Sequence, residues 1–326
     1  MTRLRLAACL IAWSVLGHAL AQQLPEKIYP AKPIRLVVTF PPGGSADITA
    51  RALAAKMSER LEQSVLVDNR PGAGGNIGLD IVAKAAPDGY TIGVGAAGAL
   101  AVNVSLYPKM PFDPQKDFAP VGMVAMIPFV LVANPSAAAA SLSGMMAAAK
   151  ARPGSLSIGH GGNGTAMHLS AELLKQMTGM DATLIPYKGS GPATTDAAAG
   201  QVEYAISDIP ASIAFIKSGR LKALGVTSAR RSVALPEVPT FAESGVPGYE
   251  SIGWFGIVAP AGTPATVLDR LNAELQAALN DPETRRRIIA SGAEPMPGSS
   301  SEFRATIESE IGKWAKVIKI SGARIE

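Results

Sequence analysis

The sequence predicts an α/β protein of two lobes, a clamshell in which each lobe is a mainly parallel sheet flanked by helices. Three observations predict it. Short apolar runs rich in Val, Ile and Leu alternate with stretches of helical period from residue 34 onward, the pattern of parallel strands covered by helices. The strand-like runs are too many for one compact sheet of ordinary width. Glycine clusters recur where a strand run gives way to a helical one, which is where open α/β sheets hold ligands.

Each element has its own warrant. Ile34–Phe40 is a continuous apolar run with β-branched residues, hence a buried strand. Pro41–Ser45 breaks it, and Ala46–Leu61 follows with Ile48, Leu53, Met57 and Leu61 near one helical face. Ser64–Asp68 is a second strand, Pro71–Gly75 a turn, Asn76–Ala85 a short helix and Thr91–Val94 a third strand. Two separate strands are expected at Phe118–Val124 and Phe129–Ala133. Ser141 caps a helix over Leu142–Ala151 that Pro153-Gly154 ends. Strands at Ser155–Gly159, Ala182–Pro186, Val202–Ser207 and Leu221–Thr227 then alternate with helices at Thr165–Thr178, Gly191–Ala199 and Ser212–Ser218. A Pro- and Gly-rich loop spans Leu235–Tyr249, and Trp254–Ala259 is a strand. Helices at Pro264–Asn280, Pro282–Ser291 and Ser301–Ile320 complete the chain. The irregular stretches near Ile127–Asn134 and Tyr249–Phe255 are the expected crossings, which gives lobe one residues 28–128 and 254–326, lobe two residues 129–253, and a cleft between them.

Met1–Ala21 stands apart. Arg3 and Arg5 precede a short apolar stretch, and Ala19-Leu20-Ala21 supplies small residues for cleavage after Ala21. This is the signature of a secretory signal peptide, and its apolar run is short of the roughly 20 residues of a membrane span. Export leaves 28 of the 30 basic residues against 26 acidic ones, a net charge of +2, and removes the single cysteine. The product expected is a periplasmic protein without membrane insertion, without a disulfide framework and without the basic clustering of a nucleic-acid surface. Hydrophobic residues at 48% supply a full core, and charged residues at 17% are too few for a disordered chain.

The candidate site residues sit at strand-to-helix junctions. Pro42-Gly43-Gly44-Ser45 opens the first helix, where glycines admit close backbone approach and free N–H groups favour an anion. Asp47 either caps that helix or accepts a hydrogen bond from a ligand. Gly159–Gly164 fits G-x-G-x-x-G, but Pro186-Tyr187-Lys188 ends the next strand where a dinucleotide site needs an acid. A second anion-binding helix start fits better, with Asn163 and Thr165 as side-chain donors. His168, in the first turn, either faces the cleft or packs. Tyr187, Lys188 and Gly189 form the third junction; Lys188 is a ligand cation or a solvated charge. Asp208 is a turn cap or a partner for a polar ligand group, and Ala96 is small enough to leave room for a ligand chain.

Enzymatic and metal motifs are missing. The sequence contains no G-x-S-x-G and no H-E-x-x-H, and the exported chain keeps two imidazoles, His160 and His168, and no thiol. No cofactor and no metal are expected. A second reading, an exported hydrolase-like enzyme using Asp47 or Asp208 with His160 as base, lacks a nucleophile motif.

The runs YPAKPIRLVVTFPPGGSADITARALA, VDNRPGAGGNIG, AAPDGYTIGVG, LYPKMPFDPQKDFAPV, GHGGNGTAMHLSAELLKQMTG, IPYKGSGPATTDAAAGQVEYAISDIP, LKALGVTSARRS, LPEVPTFAESGVPGYE and WFGIVAPAGTP occur in that order. Together they resemble the substrate-binding proteins of tripartite tricarboxylate transporters, the Bug family, over essentially the whole exported chain. The resemblance implies a two-lobed receptor like type II periplasmic binding proteins that captures a small organic carboxylate and delivers it to membrane transporter subunits; a monomer is expected. It implies a ligand carboxylate held by Gly43, Gly44 and Ser45 from one lobe and Gly162, Asn163 and Thr165 from the other, with Pro186–Gly189 and Asp208 lining the rest. His160 departs from the family pattern, standing where many members carry Ser.

Overall fold

The computed structural model describes residues 29–321, so the expected signal peptide, Met1–Ala21, lies outside the described residues. Ten strands form one sheet: eight follow the path β2-β1-β3-β9-β4-β7-β5-β6, and β8 and β10 pair β4 off it. One end of the path is a parallel set: β1 (Ile34–Val38) lies between β2 (Val65–Asn69) and β3 (Thr91–Ala96). The other end is a second parallel set, in which β5 (Leu156–His160) lies between β6 (Ala182–Pro186) and β7 (Tyr204–Asp208). Two long antiparallel strands, β4 (Phe118–Ala133) and β9 (Ile252–Pro260), join the sets.

β4 corrects the expectation of two strands. It is one strand of 16 residues, almost entirely buried. Gly122 and Pro128 suggest breaks in the sequence, but neither ends it. The register with β9 slips near Gly122, a bulge that absorbs the irregularity. Pro128 forms the last pair with β9, at Ile252, and from Phe129 the strand pairs with β7 instead. A proline, lacking an N–H, sits where β4 changes partners.

The remaining elements are α1 (Ser45–Leu61), α2 (Asn76–Ala83), α3 (Asn103–Leu106), α4 (Leu142–Ala151), α5 (Ala166–Thr178), α6 (Ser190–Ala198), α7 (Ile209–Lys217), β8 (Lys222–Val226), α8 (Ala265–Asn280), α9 (Pro282–Ser291), β10 (Glu294–Pro295) and α10 (Ser300–Ser321). Three differ from expectation. The segment after β3 is a π-helical turn, Gly98–Val102, that runs into α3; its small and apolar residues are all buried, which a polarity pattern does not flag as helix. α7 begins at Ile209 rather than Ser212, because Pro210 is compatible with a first helical turn and Asp208 caps it. β10, two residues long, pairs β4 at Met126 and Ala125 and is too short to leave a pattern.

The expected Ser141 cap is present, and Asp281 supplies another. Ser141 accepts from Gly144 N–H and Asp281 from Thr284 N–H, each satisfying a first-turn donor. α1 buries Leu53, Met57 and Leu61 against the first set of strands. A smaller apolar cluster, including Val130, Val132, Ala205, Ile209, Ile213 and Val226, holds α7 and β8 to the far half of β4. No helix among the described residues is long and apolar enough to cross a membrane.

Candidate functional site

A small cavity of about 40 Å³ opens between the two sets of strands. Four helices start at it. α1 follows β1 through Phe40–Gly44, α5 follows β5 through Gly161–Thr165, α6 follows β6 through Tyr187–Gly189, and α7 follows β7 directly at Asp208. In every case the carboxyl end of a strand feeds a helix start, so the positive ends of four helix dipoles face one space.

Their caps differ. Thr165 Oγ1 accepts from His168 N–H at 3.2 Å and donates to Gly162 O at 2.7 Å, which closes the start of α5. Asp208 Oδ1 accepts from Ala211 N–H at 2.9 Å, which closes α7. The cap positions of α1 and α6 are Gly44 and Gly189, which have no side chain to offer. Their first-turn N–H groups lack the side-chain cap of the other two. These two starts oppose each other: a Cβ built on Gly44 would lie 3.5 Å from Ser190 Oγ, and one on Gly191 3.7 Å from Gly44 N. A Gly-Ser pair opens both helices, Gly44-Ser45 and Gly189-Ser190.

The walls are apolar. Ile127 and Phe129 reach in from β4, Trp254 and Phe255 from β9, with Phe40 from the loop after β1 and Met167 from the first turn of α5. Gly253 lacks a side chain because the Phe129 ring lies where a Cβ would go, 2.7 Å away. Among the described residues no Lys, Arg or His lines the cavity, and Asp208 is its one ionisable side chain. Asp208 is 2% exposed. Its Oδ2 accepts from Ser45 Oγ at 2.6 Å, so the two strand sets are joined directly across the cavity. Burial pushes the Asp208 carboxyl above its ordinary range, against the hydrogen bonds from Ser190, Ser45 and the Ala211 N–H.

Of the residues expected from sequence, Gly44, Ser45, Ala96, Thr165, Gly189 and Asp208 line this cavity. Gly162, Asn163, Tyr187 and Lys188 line a neighbouring one of about 260 Å³, which shares Phe40 and is completed by Gly72–Gly75 and Tyr107. Pro42 and Gly43 are exposed on the outer side of their loop. Gly43 has φ +82, a conformation that suits glycine. Asp47 turns back into the loop, accepting from Gly43 N–H, Arg51 Nε and Asn69 Nδ2, each at 3.0 Å. Burial opposes its ionisation, but hydrogen bonds from Arg51, Gly43 and Asn69 outweigh that and hold its carboxyl below the usual range.

The two histidines lie behind the Gly161–Thr165 loop. His160 is fully buried, its Nδ1 accepts from Gly162 N–H at 3.2 Å, and its ring stacks on His168 at 4.9 Å between centroids. Burial, and secondarily the neighbouring His168, push His160 down to about 3. Burial also lowers His168, against the attraction of Glu172. Neither ring lines the cavity, and neither is paired with Asp47 or Asp208, so the geometry assembles no acid–base pair there. Sequence reasoning missed Phe40, Ile127, Phe129, Met167, Ser190, Trp254 and Phe255. Ser190 was legible from the repeated Gly-Ser helix opening. The others look like core residues until the topology turns them toward one space.

The family profile described as "Tripartite tricarboxylate transporter family receptor" matches residues 49–323. The chain is 41% identical to Protein BugT of Bordetella pertussis over 327 residues, covering 100% of this chain and 99% of that one. It is similar to the solved structure of R. palustris Rpa4515 with adipate, at 40% identity and TM-score 0.88, over 90% of this chain and 98% of that one. MatC (Rpa3494) from Rhodopseudomonas palustris, with bound malate, is 32% identical with TM-score 0.85 over 89% of this chain and 100% of that one. The profile describes a receptor, and the solved structure of periplasmic binding protein BugD is 35% identical with TM-score 0.87 over 91% of this chain and 100% of that one.

Proposed function

The chain belongs to the tripartite tricarboxylate transporter receptor family, and on that premise we propose that it is a periplasmic receptor that captures a carboxylate-bearing solute between two lobes and delivers it to a transporter of that type. One observation carries the reading: two opposed helix starts without side-chain caps, α1 and α6, flank an apolar cavity that holds no cationic side chain. Amide donors at helix N-termini bind a carboxylate without a buried Arg. Each charge-assisted bond contributes about 1.5–3 kcal/mol, so a few of them suffice for the roughly −8 kcal/mol of micromolar binding. The adipate and malate held by two similar proteins support the same ligand class.

In this reading the lobes are residues 28–128 with 254–326, and residues 129–253. The chain crosses between them on β4 near Pro128 and on β9 near Ile252. Ser45, Thr165, Gly44, Gly189 and Asp208 contact the solute, and Gly162, Asn163, Tyr187 and Lys188 form the neighbouring mouth. The signal peptide is cleaved after Ala21, and the receptor acts as a monomer. Closure follows from the solute touching both lobes, which favours the shut state by its differential affinity.

Thermal denaturation of the exported chain against a panel of small carboxylates, beside neutral analogues, tests this. A solute at 100 times its Kd adds about 2.7 kcal/mol, a shift of several degrees. A shift confined to carboxylates is the expected result. Shifts with neutral analogues alone would overturn the reading.

A further inference from the structure

A larger cavity, of about 520 Å³, lies against the two long strands on their other face. Met126 and Pro128 of β4 and Ile252 of β9 line it, whereas Ile127 and Phe129 of β4 line the first cavity. Successive residues of a strand point to opposite faces, so the two cavities sit back to back on β4. The 228–234 loop after β8 forms one wall, and α9 with β10 forms the other. The volume falls within the roughly 300–1,000 Å³ of small-molecule sites.

Two features point to an occupant. Seven large hydrophobic side chains are exposed among the described residues, and three of them, Val233, Ile289 and Met296, line this one space. Single exposed hydrophobics are ordinary, but a cluster marks a contact surface. The second feature is charge. Arg230 and Arg285 line the cavity from its two walls, and Glu250 and Glu294 line it as well. Among the described residues none of these four lies within ion-pair distance of an opposite charge, whereas Arg231 beside them is held by Glu243 at 2.9 Å. A ligand of one sign would meet two like charges there. A molecule carrying both signs can meet opposite ones at each end.

We propose that this cavity binds a short apolar peptide, with its terminal carboxylate on Arg230 and Arg285, its terminal ammonium on Glu250 and Glu294, and its side chains on Val233, Ile289 and Met296. Arginine forks hold a carboxylate by paired hydrogen bonds. An extended tripeptide spans at most about 10 Å, enough to reach between charges that stand apart. The site does not depend on the carboxylate reading of the first cavity.

Calorimetric titration of the exported chain with the tripeptide Leu-Phe-Leu tests this, at pH 7, where both peptide termini are largely charged. The controls are its N-acetyl form, which lacks the ammonium, and its C-terminal amide, which lacks the carboxylate. The free peptide is expected to bind at least tenfold tighter than either. Arg230→Gln with Arg285→Gln, both at exposed positions, is expected to erase the advantage over the amide. Ser45→Ala with Thr165→Ala, at the first cavity, is expected to leave peptide affinity unchanged. The proposal is overturned if the free peptide does not bind, if a blocked form binds as tightly, if the advantage over the amide survives the arginine pair, or if affinity falls in the Ser45 and Thr165 variant. None of these results removes the carboxylate reading, which the melting panel decides separately.

Discussion

Ser45 Oγ donates to Asp208 Oδ2 at 2.6 Å, joining the start of α1 to the end of β7 across 163 residues of sequence. Both partners are buried. A hydroxyl that serves a buried carboxylate is worth more than a surface hydrogen bond, because its loss leaves the acid short of a donor in a place water reaches poorly. Ser45→Ala is therefore expected to cost about 1–3 kcal/mol of stability, measured by urea denaturation. Combined with Thr165→Ala, it is expected to weaken binding at least tenfold for any carboxylate that shifts the melt, with the fold intact by circular dichroism. Unchanged affinity would show that the solute sits elsewhere.

The acid itself carries a pH signature. Burial raises the Asp208 carboxyl in the folded state. The folded chain then holds this proton more tightly than the unfolded one. Its contribution is fully present below the ordinary carboxylate range and is lost as pH rises through the folded value. Asp208→Asn removes that dependence. The variant's melting temperature should gain on the wild type's as pH increases from about 4 upward, the range in which an ordinary Asp ionises. Parallel curves would contradict it.

The histidines act with the opposite sign. His160 is pushed down to about 3, so its neutral form is the folded one. The stability it contributes is present above the unfolded His value, about 6.5, and is lost as pH falls toward 3. His160→Gln, which does not titrate, should flatten acid unfolding between those limits. Equal steepness in both proteins, followed by tryptophan fluorescence, would place the acid sensitivity in other groups.

Gly98 tests the approach of the two halves. A Cβ there would lie 2.5 Å from Gly164 O, on the opposite side of the cleft. Gly98 lies in a helical turn and outside the left-handed region, so Ala suits its backbone. The clash is relieved by parting the halves rather than by unfolding either. Gly98→Ala is expected to keep its secondary structure, enlarge the radius of gyration in X-ray scattering and weaken solute binding. A wild-type radius would mean that the loops yield locally instead.

Much of this protein is legible along the chain. The alternation of strand and helix, the glycine loops at the strand ends and the start of each major helix follow from local patterns, since backbone conformation and burial periodicity are short-range properties. Six of the fifteen expected site residues line the cavity because strand ends in an α/β sheet converge on one side. What the chain could not announce was relational. Pro128 looks like a break but marks a change of strand partner. Asp47 and Asp208 both lie at helix starts, yet Asp47 is held by Arg51 and Asn69 beside its own loop while Asp208 faces the cavity and Ser45. His160 stands in the site loop, and its ring turns behind it against His168. The sequence by itself determined the elements and the family of loops that meet. Only the tertiary structure decided which side chains share a cavity and which charges there go unanswered, because contact and desolvation depend on segments brought together from far apart in the chain.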